Sequence, residues 1–225
     1  ALWQVAEQAA TGMAADDLID TITACATFGR RPSEALLVAV RQRGAVVFGD
    51  LPASSVASVL GAFADLHTQP GAELLKVLGE GVERTSKELL PHDVATILGA
   101  YATLAQQPPS SVLGALGQQA QKVVGRLDAP DVVRELGAYA SLGLKPGAEL
   151  LSALAQRAQD VCGDMGAGQV ASTLNGLALL RAQPSASTLE ALGLRAANVS
   201  GQLRAEDVAH TLHAYSVFGQ QPSPS

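Results

Sequence analysis

The stretch Leu89–Pro108, LLPHDVATILGAYATLAQQP, decides the fold of this chain. Apolar residues recur within it every three or four positions, at Val94, Leu98, Tyr101 and Leu104. This spacing brings side chains to one face of an α-helix. Asp93 lies near the start of the pattern, where a carboxylate can accept hydrogen bonds from free backbone N–H groups. The stretch therefore predicts a helix of about twelve residues with one buried face, here called helix A.

The same pattern returns every 38 residues. One series that keeps this step is the prolines Pro32, Pro70, Pro108, Pro146, Pro184 and Pro222. A second series lies 19 positions before each proline, at Met13, Leu51, Leu89, Leu127, Met165 and Leu203. We number each repeat from the second series, so that Met13 stands at position 1 and Pro32 at position 20.

The repeats divide the chain without an insertion or deletion. Full repeats cover residues 13–50, 51–88, 89–126, 127–164 and 165–202. Residues 1–12 are the end of a preceding repeat, and residues 203–225 are the first half of a sixth. We predict one array over residues 1–225 and, because it starts and stops inside a repeat, expect it to be part of a longer chain.

A second helix follows helix A in each repeat. The linker Gly143–Pro146 is predicted to end helix A, because the residue before a proline is pushed out of the α region. Apolar residues then recur at helical spacing, at Leu150, Leu151, Leu154, Ala158 and Val161. Glycines at Gly49, Gly125, Gly163 and Gly201 are predicted to stop this helix B.

Two antiparallel helices cannot bury both apolar stripes alone, whereas stacked pairs share a continuous core. The sequence therefore predicts an all-α fold, a right-handed superhelical α-solenoid of 38-residue two-helix repeats. A column of small residues is typical of helices in close contact, and it contains Ala24, Ala62, Ala100, Ala138, Gly176 and Ala214.

Composition excludes several classes of protein. The 225 residues are 48% hydrophobic and 16% charged, which is typical of a folded domain rather than a disordered tail. No apolar run reaches the ~18 residues that a membrane helix needs, so we expect no membrane contact. Cys25 and Cys162 stand three repeats apart, too far for a disulfide, and indicate a reducing compartment.

Catalytic chemistry has no pattern in this sequence. No nucleophile, base and orienting acid recur together, and no metal set has suitable spacing. His210 and His213 lie at i, i+3 and could hold a metal, but no third ligand is identifiable, so exposed histidines or RNA contacts are the alternatives. We expect no enzyme, no cofactor and no small-molecule substrate.

The string Leu-x-x-x-Asp-Val-Ala-x-x-Leu-Gly-Ala-Tyr-Ala-x-Leu-x-x-x-Pro, from Leu89 to Pro108, resembles the octotricopeptide repeat family of algal organelles. That family is similar to pentatricopeptide proteins in architecture. The resemblance implies import into a chloroplast or mitochondrion by a targeting segment that is not part of this stretch. It also implies a protein that binds organellar RNA and stabilises transcripts, processes them or helps their translation.

If the resemblance holds, the variable polar positions of helix A face single-stranded RNA, one repeat to a base. At the eighth and eleventh positions these candidates are Asp20, Thr23, Ser58, Thr96, Arg134, Ser172, Asn175, His210 and His213. Free drift of surface residues explains the same variation. The linkers contain basic residues and no acidic ones, and the candidate phosphate contacts there are Arg30, Arg31, Lys145 and Arg181.

Net charge supports a second function. The chain has a formal charge of −6, whereas nucleic-acid binding usually leaves a basic surface. The alternative to an RNA-binding protein of transcripts or rRNA is a structural scaffold in a large organellar assembly. Such an assembly could be a mitochondrial or chloroplast ribosome, and its ribosomal or other organellar proteins would then be the partners.

Overall fold

The structure, a computed structural model, describes the backbone of residues 2–221 and the side chains of residues 5–221. This part of the chain contains twelve α-helices and no strand. The helices are α1 (Leu2–Ala9), α2 (Ala15–Thr27), α3 (Glu34–Val47), α4 (Ala53–Asp65), α5 (Ala72–Thr85), α6 (Pro91–Thr103), α7 (Ser110–Val123), α8 (Ala129–Ser141), α9 (Ala148–Val161), α10 (Ala167–Leu179), α11 (Ala186–Asn198) and α12 (Ala205–Phe218). The predicted all-α fold of α-solenoid repeats is confirmed. Pro222, the sixth proline of the series, lies outside the described residues.

The chain divides into two compact units, unit 1 (residues 1–119) and unit 2 (residues 120–225). In unit 1 the helix A copies α2, α4 and α6 pack side by side, and the helix B copies α3 and α5 do the same. In unit 2 the corresponding rows are α8, α10 and α12, and α9 and α11. Each unit therefore has a layer of A helices on a layer of B helices. The expectation of one continuous array stays a prediction.

The core of each unit lies between these two layers. Val132 and Leu136 of α8 are fully buried, as are the equivalent valines and leucines of α4, α6 and α10. The predicted apolar stripe of α9 is buried over its whole length. Helix α12 differs, because its equivalent residues Val208 and Leu212 are 41% and 56% exposed. The predicted core positions of helix A are thus confirmed in α4, α6, α8 and α10, whereas Phe28 at position 16 of the first repeat is 75% exposed.

Polar side chains cap the first turn of helix A. Asp93 accepts a hydrogen bond from the backbone N–H of Leu90, with 2.9 Å between nitrogen and Oδ2. Asp207 accepts the N–H of Arg204 in the same way at 2.9 Å. In both helices the third residue accepts a hydrogen bond from the backbone N–H of the residue just before the helix. This bond is one of the two that make up a capping box. The prediction that a carboxylate caps the first turn of helix A is therefore confirmed for Asp93.

Most A helices end at position 15 of the repeat, and the backbone at position 17 is left-handed in all six copies. The φ values are +57° at Gly29, +48° at His67, +51° at Ala105, +65° at Gly143, +51° at Arg181 and +64° at Gly219. After α8, Leu144 N–H donates to the carbonyl of Tyr139 at 2.9 Å, a bond that closes a Schellman turn. Helix A therefore ends at the linker as predicted, but most copies stop five residues before the proline, at the left-handed turn rather than at the residue before the proline.

Helix B ends before the glycine that was predicted to stop it. α7, α9 and α11 stop two or three residues earlier, and a 3₁₀ turn follows that contains Gly125, Gly163 or Gly201. None of these three glycines has a positive φ. The glycine therefore does not provide a left-handed cap, and the tighter turn itself ends the helix.

One polar side chain ties helix B to the start of its own repeat. Arg157 on α9 donates from Nε to the carbonyl of Leu127 at 2.6 Å, and Arg195 on α11 donates to Met165 at 2.7 Å. In the other full repeats the donors and their acceptors are Arg43 to Met13, Gln119 to Leu89 and Arg84 to Leu51. In the repeat of residues 51–88, position 31 is Gly81, which has no side chain to make this contact. Arg84, three residues further along α5, makes it instead. This contact satisfies a carbonyl between repeats that no helix can satisfy.

Small residues allow neighbouring A helices to approach each other. A Cβ at Gly176 of α10 would lie 3.2 Å from Cβ of Leu136 on α8. A Cβ at Gly61 of α4 would lie 3.0 Å from Cγ2 of Thr96 on α6. Both distances are tighter than most real Cβ contacts, so these glycines permit the observed spacing. The expectation of close helix contact from the small-residue column is confirmed at Gly176.

Candidate nucleic-acid interface

The candidate base-facing residues lie on the outer surface of the A helices. Those at position 8 are exposed, except Thr96, which is half-buried. Those at position 11 are half-buried, except His213, which is exposed. Two further positions, 4 and 15, share this face because i, i+4, i+7 and i+11 lie on one side of a helix. These additional residues are Asp16, Ser54, His92, Pro130, Gly168, Glu206, Thr27, Asp65, Thr103, Ser141, Leu179 and Val217. Helical spacing alone could have found them.

Several candidate side chains already bond to their own helix. Thr23 donates to the carbonyl of Ile19 at 2.7 Å, and Ser58 donates to the carbonyl of Ser54 at 2.9 Å. A hydroxyl that donates inward keeps its lone pairs for an outside donor. At these positions the surface therefore offers acceptors to a base rather than donors.

Arg134 is the one candidate base contact at position 8 with a permanent positive charge. Its guanidinium lies 2.9 Å from Oδ1 of Asp131, one turn earlier on α8. The Asp131 side chain is almost completely buried, whereas that of Arg134 is 39% exposed. The buried carboxylate orients the guanidinium and leaves most of its five N–H donors for other partners.

A buried carboxylate lies next to Arg134 in the sequence. Glu135 is fully buried, and neither of its carboxylate oxygens has a hydrogen-bond partner among the described residues. Burial, and then the nearby Asp131, raise the pKa of Glu135 to about 8. Near neutral pH the protonated form therefore predominates, which removes one negative charge from beneath this part of unit 2.

Packing occupies part of the predicted interface in unit 1. The methyl group of Thr96 on α6 packs against α4 at Gly61, and the Thr96 hydroxyl lies 3.3 Å from Nε2 of His92. The glycine at position 11 of α4 thus serves the approach of α6. No atom lies within 4 Å of a Cβ built at Gly137, so the equivalent position in unit 2 is open.

All four candidate phosphate contacts are exposed, and two of them share a groove. Lys145 and Arg181, from successive linkers of unit 2, line one groove of about 340 Å³ together with Gln183. Arg181 and Gln183 also line the adjoining groove, of about 440 Å³, which Gln220 borders. Arg181 therefore lies between two grooves that follow each other along the linkers of unit 2.

The left-handed turn places Arg181 at this edge. Its N–H donates to the carbonyl of Ala178 at 2.9 Å, and the next N–H, of Ala182, donates to the carbonyl of Leu177 at 2.9 Å. Both bonds hold the backbone of the turn and leave the side chain to solvent. The first N–H groups of α9, which begins at Ala148 on the same groove, add the positive end of a helix dipole.

A cleft in unit 1 has the opposite electrostatic character. It has a volume of about 390 Å³, and Lys76, Glu80 and Glu83 supply its charged side chains. Glu83 accepts a hydrogen bond from the Ser111 hydroxyl at 2.6 Å. Two carboxylates against one ammonium make this cleft unsuitable for phosphate.

Charge is divided unequally between the two units. Unit 1 has seven Lys and Arg against twelve Asp and Glu, a net charge of −5. Unit 2 has eight Lys and Arg against nine Asp and Glu, a net charge of −1. Protonated Glu135 brings unit 2 close to neutral. The acidity of the whole chain therefore belongs mainly to unit 1, and unit 2 repels a polyanion much less.

The described residues were compared with the requirements of a metal site, a reactive thiol and a membrane-spanning helix. No group of three or more His, Cys, Asp or Glu side chains that could hold a metal occurs in the part of the chain that the structure describes. Burial raises the pKa of the Cys25 thiol, which Arg30 partly opposes, so Cys25 is a poor nucleophile. Within residues 2–221, no helix combines the length and the apolar character needed to cross a membrane.

Comparison with protein families gives a match. Residues 3–186 match the model of the family described as RNA-editing substrate-binding complex 6 protein. No curated protein matches the chain.

Proposed function

The chain belongs to the RNA-editing substrate-binding complex 6 protein family, and from this membership we propose that it binds single-stranded RNA as a subunit of an organellar RNA-editing complex. In this role the protein holds RNA without changing it chemically. The name of the family supports an RNA substrate and membership in a complex. It gives no support to a ribosomal partner or to a chloroplast, so we propose the mitochondrion as the organelle. The likeness to octotricopeptide repeats stays a prediction.

The observation that carries the proposal is the shared groove of Lys145 and Arg181 in unit 2. These residues are 36 positions apart in the sequence, and stacking of the repeats brings them to one surface. A phosphate in the groove would meet an ammonium, a guanidinium and the free N–H groups of α9. Gln183 adds a neutral donor to the same groove.

The mechanism follows from how the repeats are arranged in unit 2. Phosphates lie along the linker grooves, and bases turn toward the outer face of the A helices. There Arg134, Ser172 and Asn175 offer different donors and acceptors at neighbouring positions. Phosphate contacts supply affinity without sequence preference, while contacts to base edges supply selectivity. We assign RNA binding mainly to unit 2, because its net charge of −1 repels a polyanion less than the net charge of −5 on unit 1 does.

Filter binding of the chain to a mixed-sequence single-stranded RNA oligonucleotide tests the proposal. We expect affinity to fall as salt rises, with a slope of roughly 0.7 per neutralised phosphate. The double variant Lys145→Glu with Arg181→Glu is expected to bind at least about tenfold more weakly. Absence of wild-type binding at low salt would contradict the proposal.

A matched control changes the same charge elsewhere in unit 2. Lys122→Glu with Arg126→Glu alters two exposed basic residues outside both grooves. Equal losses of affinity in the two double variants would mean that net charge, rather than the groove, determines binding.

A scaffold role is the second candidate. The net charge of −5 on unit 1 favours it, because such a surface attracts basic proteins and repels RNA. Isolated unit 1 retaining the partner proteins of the complex in the absence of RNA would support this function.

A further inference from the structure

The groove that Lys145 and Arg181 share in unit 2 also contains two neutral polar side chains. Ser152 on α9 and Gln183 in the next linker line this groove, and all four side chains are exposed. The groove lies between two complete repeats, residues 127–164 and 165–202, and α12 of the following repeat packs against α10. Its exposure therefore does not arise from a missing neighbouring helix.

The two neutral side chains have no hydrogen-bond partner among the described residues. Residues of the same kind elsewhere in the chain do have one. Gln69, at the same repeat position as Gln183, donates from Nε2 to the carbonyl of Leu104 at 2.8 Å. Ser58 donates to the carbonyl of its own helix at 2.9 Å. Ser152 and Gln183 therefore keep both their donors and their acceptors for a ligand.

The acceptors of this groove indicate which part of a nucleotide it recognises. Lys145 and Arg181 are donors only, and they match a phosphate diester, which only accepts. The oxygens of Ser152 and Gln183 add acceptors that such a phosphate cannot use. The ribose 2′-hydroxyl both donates and accepts, and its carbon adjoins the one that carries the 3′-phosphate. A phosphate held by the two cations therefore brings a 2′-hydroxyl to the two neutral side chains.

The rest of the lining suits a sugar better than a base. Ala155 and Ala182 are 5% and 7% exposed and form a floor of small apolar side chains. None of the described residues that line the groove is aromatic, so a base finds no stacking surface there. The volume of about 340 Å³ lies at the lower end of the range for small-ligand sites. These features fit one sugar with its phosphate.

The cleft of unit 1 is built from equivalent repeat positions but has different chemistry. Position 26, which is Ser152 in unit 2, is Lys76 there. The Lys76 ammonium lies 4.0 Å from a carboxylate oxygen of Glu80. A carboxylate also accepts from a hydroxyl, but it repels the phosphate that would carry the sugar into the cleft. Two cations combined with neutral acceptors thus distinguish the groove of unit 2 from this cleft.

We propose that the groove selects RNA over DNA, because Ser152 and Gln183 bind the 2′-hydroxyl of a ribose whose phosphate is held by Lys145 and Arg181. The Ser152 hydroxyl donates to the 2′-oxygen, and the 2′-hydroxyl donates to Oε1 of Gln183. This inference rests on the proposed function and deepens it by naming the sugar as the group that the groove recognises. The contact does not depend on base identity, because every ribonucleotide has the same sugar.

Filter binding of the full chain to two single-stranded oligonucleotides of one sequence tests the proposal. One is RNA, and the other is DNA with deoxyuridine in place of uridine, so that only the 2′-hydroxyls differ. The wild type is expected to bind the RNA at least about fivefold more tightly. Ser152→Ala is expected to weaken RNA binding roughly fivefold and to leave DNA binding within about twofold. Its salt slope is expected to equal that of the wild type, because no phosphate contact is lost.

A second variant and a control accompany Ser152→Ala. Gln183→Met keeps the length of the side chain without its amide, and it is expected to weaken RNA binding in the same selective way. Ser200→Ala is the matched control, since Ser200 is an exposed serine of unit 2 outside both grooves. It is expected to bind both oligonucleotides as the wild type does. Circular dichroism melts of all three variants are expected to coincide with that of the wild type, because the side chains are exposed.

The outcomes separate this proposal from the proposed function. If the wild type binds RNA and DNA equally well, the groove does not recognise the sugar, and this inference fails while the proposed function stands. If Ser152→Ala weakens RNA and DNA binding by the same factor, the hydroxyl contacts phosphate, and the inference is again wrong. Full RNA affinity in Ser152→Ala also overturns it. If the wild type binds no RNA, both proposals fail.

Discussion

Gly193 on α11 leaves the space that the phenolic oxygen of Tyr215 on α12 occupies. The Tyr215 hydroxyl donates to the carbonyl of Leu189 at 3.0 Å. A Cβ at Gly193 would approach the same oxygen more closely than any real Cβ contact allows. The pairing recurs in unit 1, where a Cβ at Gly79 would lie 3.7 Å from the Tyr101 oxygen, an ordinary contact distance.

These two pairs predict opposite effects of the same substitution. Gly193→Ala is expected to lower the free energy of unfolding by about 1–3 kcal/mol, because the methyl group displaces the Tyr215 ring. Gly79→Ala is expected to raise it by up to about 1 kcal/mol, since alanine favours a helix and space exists. Urea unfolding followed by circular dichroism measures both. Adding Tyr215→Phe to Gly193→Ala should recover much of the loss, and independent effects of the two changes would contradict the contact.

The left-handed position 17 predicts a second pair of effects. Ala105→Gly is expected to stabilise the fold by about 0.5–1 kcal/mol, because glycine adopts φ of +51° without the Cβ penalty. Gly143→Ala is expected to destabilise it by about 1 kcal/mol, since φ is +65° there. Both are measured as shifts of the urea midpoint. Effects of the same sign at the two positions would contradict this explanation of the turn.

Glu135 predicts a stability that depends on pH. Its pKa is raised from 4.5 to about 8 in the folded chain, so only the folded state holds this proton between those values. The contribution of Glu135 to stability is therefore complete below about pH 4.5 and declines up to about pH 8, by roughly 5 kcal/mol in all. Glu135→Ile introduces the residue that the third repeat has at this position, and it should remove the dependence of stability on pH. If the wild type and the variant differ in free energy of unfolding by the same amount from pH 5 to 8, this prediction is contradicted.

The contact between helix B and the repeat start predicts that arginine and glutamine are interchangeable. Arg157→Gln is expected to change stability by less than about 0.5 kcal/mol, because Gln119 makes the same contact to Leu89 at 2.7 Å. Arg157→Ala is expected to cost about 1–2 kcal/mol, since the Leu127 carbonyl loses its charged donor. Thermal melts of the two variants compare them directly. A Gln variant as unstable as the Ala variant would show that the positive charge is required.

Much of the fold follows from the sequence because the repeat is regular. The helical spacing of Val94, Leu98 and Tyr101, with Asp93 before them, predicts both the buried face and the first turn of helix A. The end of helix A was predicted from the wrong residue. Three of the six left-handed positions hold glycine, but His67, Ala105 and Arg181 hide the pattern in the other copies.

The candidate site was predictable only in part. Helical spacing predicts that Ser172 and His210 face outward, and the structure places both on the surface. The groove shared by Lys145 and Arg181 depends on how one linker stacks on the next, which spacing within a repeat does not contain. The exposure of Phe28 was not predictable either, because an aromatic residue in an apolar column is expected to belong to the core.

The sequence by itself determined that this chain is an array of paired helices, since a 38-residue period and helical spacing are properties of the linear chain. Tertiary structure alone decided which equivalent residues serve the core and which reach the surface. Phe28 and Leu66 occupy the same position, yet only Leu66 is buried. The physical reason is that burial depends on the neighbouring helices that pack against a side chain, and those neighbours come from other repeats.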